Sequence, residues 1–77
     1  MKLKVSLYIT TLNCMEDFYQ NIIDKDQALK KIRNFFSNQE IDLNPFLDAI
    51  TILFLKQNKL ATDEIDLLIN SFFDEYN

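Results

Sequence analysis

The sequence predicts a mainly α domain: four helices in two antiparallel hairpins, preceded by a short N-terminal β-strand. Three observations predict it. Four segments carry apolar residues at helical spacing, residues 2–10 alternate apolar with polar, and the joins inside each hairpin are too tight for anything but an antiparallel return. The 77 residues read as one domain, with the strand over 1–10, one helical hairpin over 13–38 and a second over 44–77.

From Lys2 to Thr10, Leu3, Val5, Leu7 and Ile9 alternate with Lys2, Lys4, Ser6, Tyr8 and Thr10, the period-two pattern of a half-buried strand. A lone strand needs a partner. Residues 40–43 offer one, because Ile41 and Leu43 alternate with charged neighbours; the same strand of another subunit offers the other, along the edge bearing Lys4, Ser6, Tyr8 and Thr10. A helical N-terminus is the competing reading of these residues.

Asn13 with Glu16 fits a capping box, after which Cys14, Met15, Phe18, Tyr19, Ile22 and Ile23 form one stripe of a first helix running to about Ile23. Asp24 with Gln27 offers a second box. Behind it Ala28, Leu29, Ile32, Phe35 and Phe36 share a face, opposite Lys30, Lys31 and Arg33, in a helix that ends near Asn38. Asn44 followed by Pro45 starts a third helix over Pro45–Gln57, since proline's missing N–H costs nothing there and its φ is already helical. That helix is apolar nearly all round, with Phe46, Leu47, Ala49, Ile50, Ile52, Leu53, Phe54 and Leu55, and is expected in the middle of the fold. Thr62 caps a fourth, whose apolar side holds Ile65, Leu67, Leu68, Ile69, Phe72, Phe73 and Tyr76, while Asp63, Asp66, Asn70 and Asp74 line the other.

A shift of 37 residues superimposes the hairpins: Gln20 falls on Gln57, Asn21 on Asn58, Asp26 on Asp63, Ile32 on Ile69, and Phe35-Phe36 on Phe72-Phe73. Internal duplication and coincidence in a low-complexity alphabet both explain the match. Either way, two similar units predict pseudo-twofold packing in which the paired phenylalanines meet.

Absent residues exclude most chemistry. Without glycine the chain has no loop through which backbone can cradle a phosphate, and without histidine it lacks the usual general base and zinc ligand. The single Cys14 can form no internal disulfide, so a reduced cytoplasm is the expected setting. The most apolar run, FLDAITILFL over 46–55, is too short for the ~20 residues that span a bilayer. No enzyme activity, cofactor, metal or membrane span is expected.

Two motifs need weighing. NKLATDEIDLL is similar to the last half of an EF-hand, yet a loop ending at Glu64 would put Leu53, Leu55 and Gln57 at ligand positions. A loop opening at Asp24, Lys25 and Asp26 meets Leu29 where glycine is needed and ends at Phe35. Calcium binding is therefore not expected. Lys25, Lys30, Lys31 and Arg33 raise a helix-turn-helix reading for DNA, against a net charge of −4 and a pI near 4.5. Direct nucleic-acid binding is the weakest of the functional readings.

Charge segregates towards acid. Residues 62–77 hold Asp63, Glu64, Asp66, Asp74 and Glu75 with no base, whereas residues 1–61 hold eight bases and seven acids. Asp63 and Glu64 suit the positive end of a helix dipole; Asp74 and Glu75 oppose the negative end at ~0.3–1 kcal/mol each, which fits either a solvated, frayed terminus or a charge used outside the fold to dock a basic partner. Nothing in the sequence buries these carboxylates for acid–base work. Cys14 reads as apolar filler, with Glu16 and Asp17 opposing any dipole activation of its thiol.

The expectation is a small acidic, non-enzymatic regulator or inhibitor that occludes a larger, basic protein, with Asp63, Glu64, Asp66, Asp74 and Glu75 as the docking surface. The Ile, Asn, Lys and Asp bias without glycine is similar to that of small orphan proteins of phages, plasmids and their AT-rich hosts. The alternative is a homodimer or larger structural assembly, which would pair the N-terminal strands and finish burying the third helix.

Overall fold

The computed structural model of the chain describes residues 2–56 and 62–76, in four helices: α1 (Lys2–Tyr19), α2 (Lys25–Phe35), α3 (Asn44–Lys56) and α4 (Thr62–Tyr76). The mainly α class holds. Each helix packs on its neighbour in sequence, and α4 closes the ring against α1. Among the described residues, sixteen buried apolar ones form one core, and the Cα radius of gyration is 11.5 Å, equal to the roughly 11.5 Å expected for a compact chain of this length.

The expected N-terminal strand is a helix. Residues 2–10 are the first half of α1, and Lys4, Ser6, Tyr8 and Thr10 form no sheet edge but lie on different sides of a helix. The reason is packing. Leu3 and Leu7 are apolar in either period, but a helix stacks them in one stripe with Thr11, Cys14, Met15 and Phe18, against the core, and leaves Val5 and Ile9 exposed. A helix also pairs the backbone groups of its interior turns internally, whereas a solitary strand would leave its N–H and C=O groups unmatched. No glycine or proline interrupts residues 2–19, so nothing stops the helix between the two segments. Asn13 and Glu16 accordingly sit inside α1 and do not cap it. Residues 40–43 are irregular, and no strand occurs among the described residues.

The end of α1 explains how a glycine-free chain turns. Asn21 adopts the left-handed conformation at φ 62°, its N–H donates to Phe18 C=O at 3.1 Å, and Ile22 N–H donates to Asp17 C=O at 2.9 Å. This pair of bonds is the Schellman closure usually built on glycine; asparagine is the side chain best suited to replace it. The helix therefore stops at Tyr19, short of the expected Ile23. The Asp24 capping box forms as expected: Asp24 Oδ1 accepts from Gln27 N–H at 2.8 Å, and Gln27 Oε1 accepts from Asp24 N–H at 2.9 Å.

α2 stops at Phe35, before the expected Asn38, and residues 36–40 unwind through turns in which Ser37 N–H donates to Asn34 C=O and Gln39 N–H to Phe36 C=O. α3 starts one residue earlier than expected. Asp42 Oδ1 accepts from Asn44 N–H at 3.0 Å, Leu43 C=O accepts from Leu47 N–H at 2.8 Å, and Pro45 occupies the first turn. Asn44 uses its side chain elsewhere, its Oδ1 accepting from Arg33 Nη1 at 3.1 Å, which ties the end of α2 to the start of α3. Thr62, expected to cap α4, is its first residue; Gln57 and the Asn58–Lys59 join lie outside the described residues.

Under the 37-residue shift one helix pair buries matching positions and the other does not. In α2 and α4 the equivalent positions Ala28 and Ile65, Ile32 and Ile69, and Phe36 and Phe73 are all buried. In α1 and α3 the pattern breaks, since buried Met15 corresponds to exposed Ile52 and exposed Ile9 to buried Phe46. The aromatic pairs also diverge. Phe35 is 60% exposed and packs on Phe36, whereas Phe72 is 9% exposed and packs on Phe46 and Phe73. Across the bundle, Phe18 of α1 meets Phe54 of α3 edge-on with ring centroids 4.9 Å apart.

Candidate protein-binding surface

α3 is apolar in every direction, and the fold has neighbours for only one side of it. Phe46, Leu47, Ile50, Leu53 and Phe54 face the core. The remainder of the helix does not sit in the middle of the molecule as expected: Ile52 is 63% exposed and Leu55 73%, and Leu67 of α4, which lines a depression with Ile52, is 66% exposed. Contiguous apolar exposure of this kind on a small protein marks a surface that something else covers.

The exposed residues flank a groove. α3 and α4 run antiparallel, with Lys56 and Glu64 together at one end, and Pro45 and Phe46 with Ser71 and Phe72 at the other. Between them lie two depressions of about 300 and 170 Å³, and Ala49, Leu68 and Ser71 line both. The cause is local. Ala49 and Ser71 are the small residues of two otherwise bulky apolar helices, and where they meet the seam is not filled.

Of the carboxylates expected to dock a partner, Glu64 lines this groove. Asp63, Glu64, Asp66 and Asp74 are all exposed on α4; the side chain of Glu75 lies outside the described residues. Asp63 is one turn before Leu67 and Asp74 two turns after it, so these three share a helical face, while Glu64 and Ser71 turn towards α3. Across the groove, exposed Asp48 stands one turn before Ile52. The sequence located the acidic strip and missed the apolar groove beside it; the available signal was an all-round apolar α3 whose Ala49 is small.

A second cleft, of about 510 Å³, lies between α1 and α2, lined by Thr10, Asn13, Cys14, Asp17, Lys31, Asn34 and Phe35. Cys14 is buried at its base, well inside α1 and therefore away from the helix N-terminus expected for it. Burial pushes its thiol pKa up; Lys31 partly offsets this and Asp17 adds to it. The thiol is thus held protonated, which suits apolar filler and not a nucleophile. Tyr19 is likewise raised, first by burial and then by the charge of Glu64. Two buried hydroxyls, Thr11 Oγ1 and Tyr19 Oη, have no hydrogen-bond partner among the described residues.

On α2, Lys30, Lys31 and Arg33 are exposed, and Arg33 is already engaged with Asn44. Among the described residues no three Cys, Asp or Glu side chains converge as a metal cluster would, and no helix is long and apolar enough to cross a membrane. No family model matches the chain, and no curated protein or solved structure matches it.

Proposed function

We propose that this protein acts by contact, as a small acidic regulator or inhibitor that occludes a larger, basic protein. The observation that carries this reading is the outer face of α4, where Asp63, Asp66 and Asp74 stand exposed around Leu67 with no base on the helix. Such a face steers a cationic partner by its field and holds it by desolvating Leu67, a division of labour common at protein interfaces. The chain's own nucleophile, Cys14, is buried with its thiol pKa raised, and the sequence offers no histidine to act as base, so binding is the economical use of this surface.

The test is affinity capture from the native host with the intact protein and with D63N/D66N/D74N. Loss of one partner with the three charges supports the reading; retention of every partner removes the acidic face as its basis.

A second reading, a homo-oligomeric assembly protein, is favoured by the exposure of Ile52, Leu55 and Leu67. Sedimentation over a range of concentrations separates the two: a persistent monomer eliminates the assembly, whereas a tight dimer leaves the exposed leucines accounted for without a foreign partner.

A further inference from the structure

Resting on the contact reading above, we infer that the α3–α4 groove is the seat of a single cationic amphipathic helix supplied by the partner. The groove's shape gives the first argument. Its two depressions share Ala49, Leu68 and Ser71 but reach from Pro45 at one end to Lys56 at the other, so their linings on α3 are centred roughly six residues, about one and a half helical turns, apart. Apolar anchors spaced between i, i+4 and i, i+7 on one helix face span that offset, and helix-in-groove docking reads its anchors at such spacings.

Charge supplies the second argument and selects the occupant. The lining itself carries Glu64 and Lys56, which offset one another, while on the outer sides of the two walls Asp48 stands one turn before Ile52, and Asp63 and Asp74 share the helical face of Leu67, three exposed carboxylates flanking the groove. A second copy joined about a twofold axis through this groove would bring two acidic α4 faces together, and like charges at an interface are unfavourable. A helix with lysines or arginines flanking an apolar stripe meets the same rim with opposite charge. Ile52 and Leu67, one on each wall, would close over its anchors.

The probe is a synthetic helical peptide of about 15 leucines and lysines, long enough for a marginal helix, with leucines at i, i+4 and i+7. It is titrated into the full-length ¹⁵N-labelled protein. Controls are a peptide of the same composition with the leucine stripe scrambled, and the striped peptide with glutamate for lysine. The expected result is amide shifts centred on Ala49, Ile52, Leu68 and Ser71, and affinity lower by roughly tenfold or more for both controls, as for loss of a central hot spot.

Ser71→Phe fills the seam without altering charge, and because Ser71 is exposed, the variant is expected to fold. It should weaken the striped peptide by a similar factor; Ile52→Ser on the opposite wall is the second variant should Ser71→Phe melt early. Unchanged affinity in the folded variant, shifts centred on α1 and α2, or a dimer of the chain that Ser71→Phe dissociates would overturn the inference. A host partner lost with D63N/D66N/D74N but kept by Ser71→Phe sinks the groove and leaves the contact reading standing. A host partner kept by both variants removes the acidic face, and with it the groove, as the basis of the contact.

Discussion

Under the 37-residue shift α2 and α4 bury one matching stripe, although Phe35 and Phe72 part, and α1 and α3 bury none in common. The first pair buries the same stripe, Ala28, Ile32 and Phe36 against Ile65, Ile69 and Phe73. The second pair has opposite fates. α1 is gripped on both sides by α2 and α4, so Leu7, Thr11, Cys14 and Met15 disappear from solvent, while α3 keeps one apolar side open over Ile52 and Leu55. Similar spacing therefore does not fix how much of a helix is covered: both helices pack on α2 and α4, and how far those neighbours reach around each one decides what stays exposed. In this molecule the uncovered remainder is the candidate site.

The largest effects should come from substitutions at positions the shift equates. Met15→Ala removes a fully buried side chain and is expected to cost ~2–5 kcal/mol, whereas Ile52→Ala at the equivalent place in α3 should stay within ~0.5 kcal/mol, both by urea denaturation. Ile32→Ala and Ile69→Ala should each cost ~2–5 kcal/mol and resemble one another, because the two sites are buried alike. Near-equal costs at Met15 and Ile52 would mean that α3 is covered in solution.

Smaller effects test the loop that joins α1 to α2. Asp24→Ala removes one half of the capping box and is expected to cost ~1 kcal/mol. Asn21→Gly should instead stabilise by ~0.5 kcal/mol, since the left-handed conformation is free of strain only for glycine. Loss of stability in the glycine variant would show that Asn21 contributes more than its conformation.

The smallest expected effect is a pH dependence confined to the alkaline side. Cys14 and Tyr19 both have folded-state pKa values raised above their ordinary ones, so the folded protein holds their protons more tightly than the unfolded chain. Their contribution is complete through neutral pH, below the unfolded values, and declines as pH rises through the ordinary thiol range and then the phenol range. Thermal melts at neutral pH and above it check this, and a parallel series with Cys14→Ala should lose the earlier part of the decline.

Most of α2, α3 and α4 was legible because their signals are chemical: the Asp24–Gln27 box, the Asn44-Pro45 start and the position of Thr62. α1 was misread at its first half because Leu3 and Leu7, four residues apart, satisfy a strand's period and a helix's alike, and only packing against α2 and α4 chooses between them. The false cap at Asn13 followed from the same error. At the site, the carboxylates of α4 were legible because a helix free of bases is visible in the letters alone. The exposure of Ile52, Leu55 and Leu67 was not, since it depends on which sides of α3 and α4 find neighbours and on the small residues Ala49 and Ser71 meeting across the seam.

The central claim is that the acidic face of α4 works outside the fold and not within it. The direct measurement sets partner capture against stability for D63N/D66N/D74N. The account predicts a partner lost while the denaturation midpoint stays put or rises slightly, since Asp63 near the helix N-terminus and Asp74 near its C-terminus act on the dipole with opposite signs. A variant that retains its partners, or loses them only because it unfolds, would contradict it.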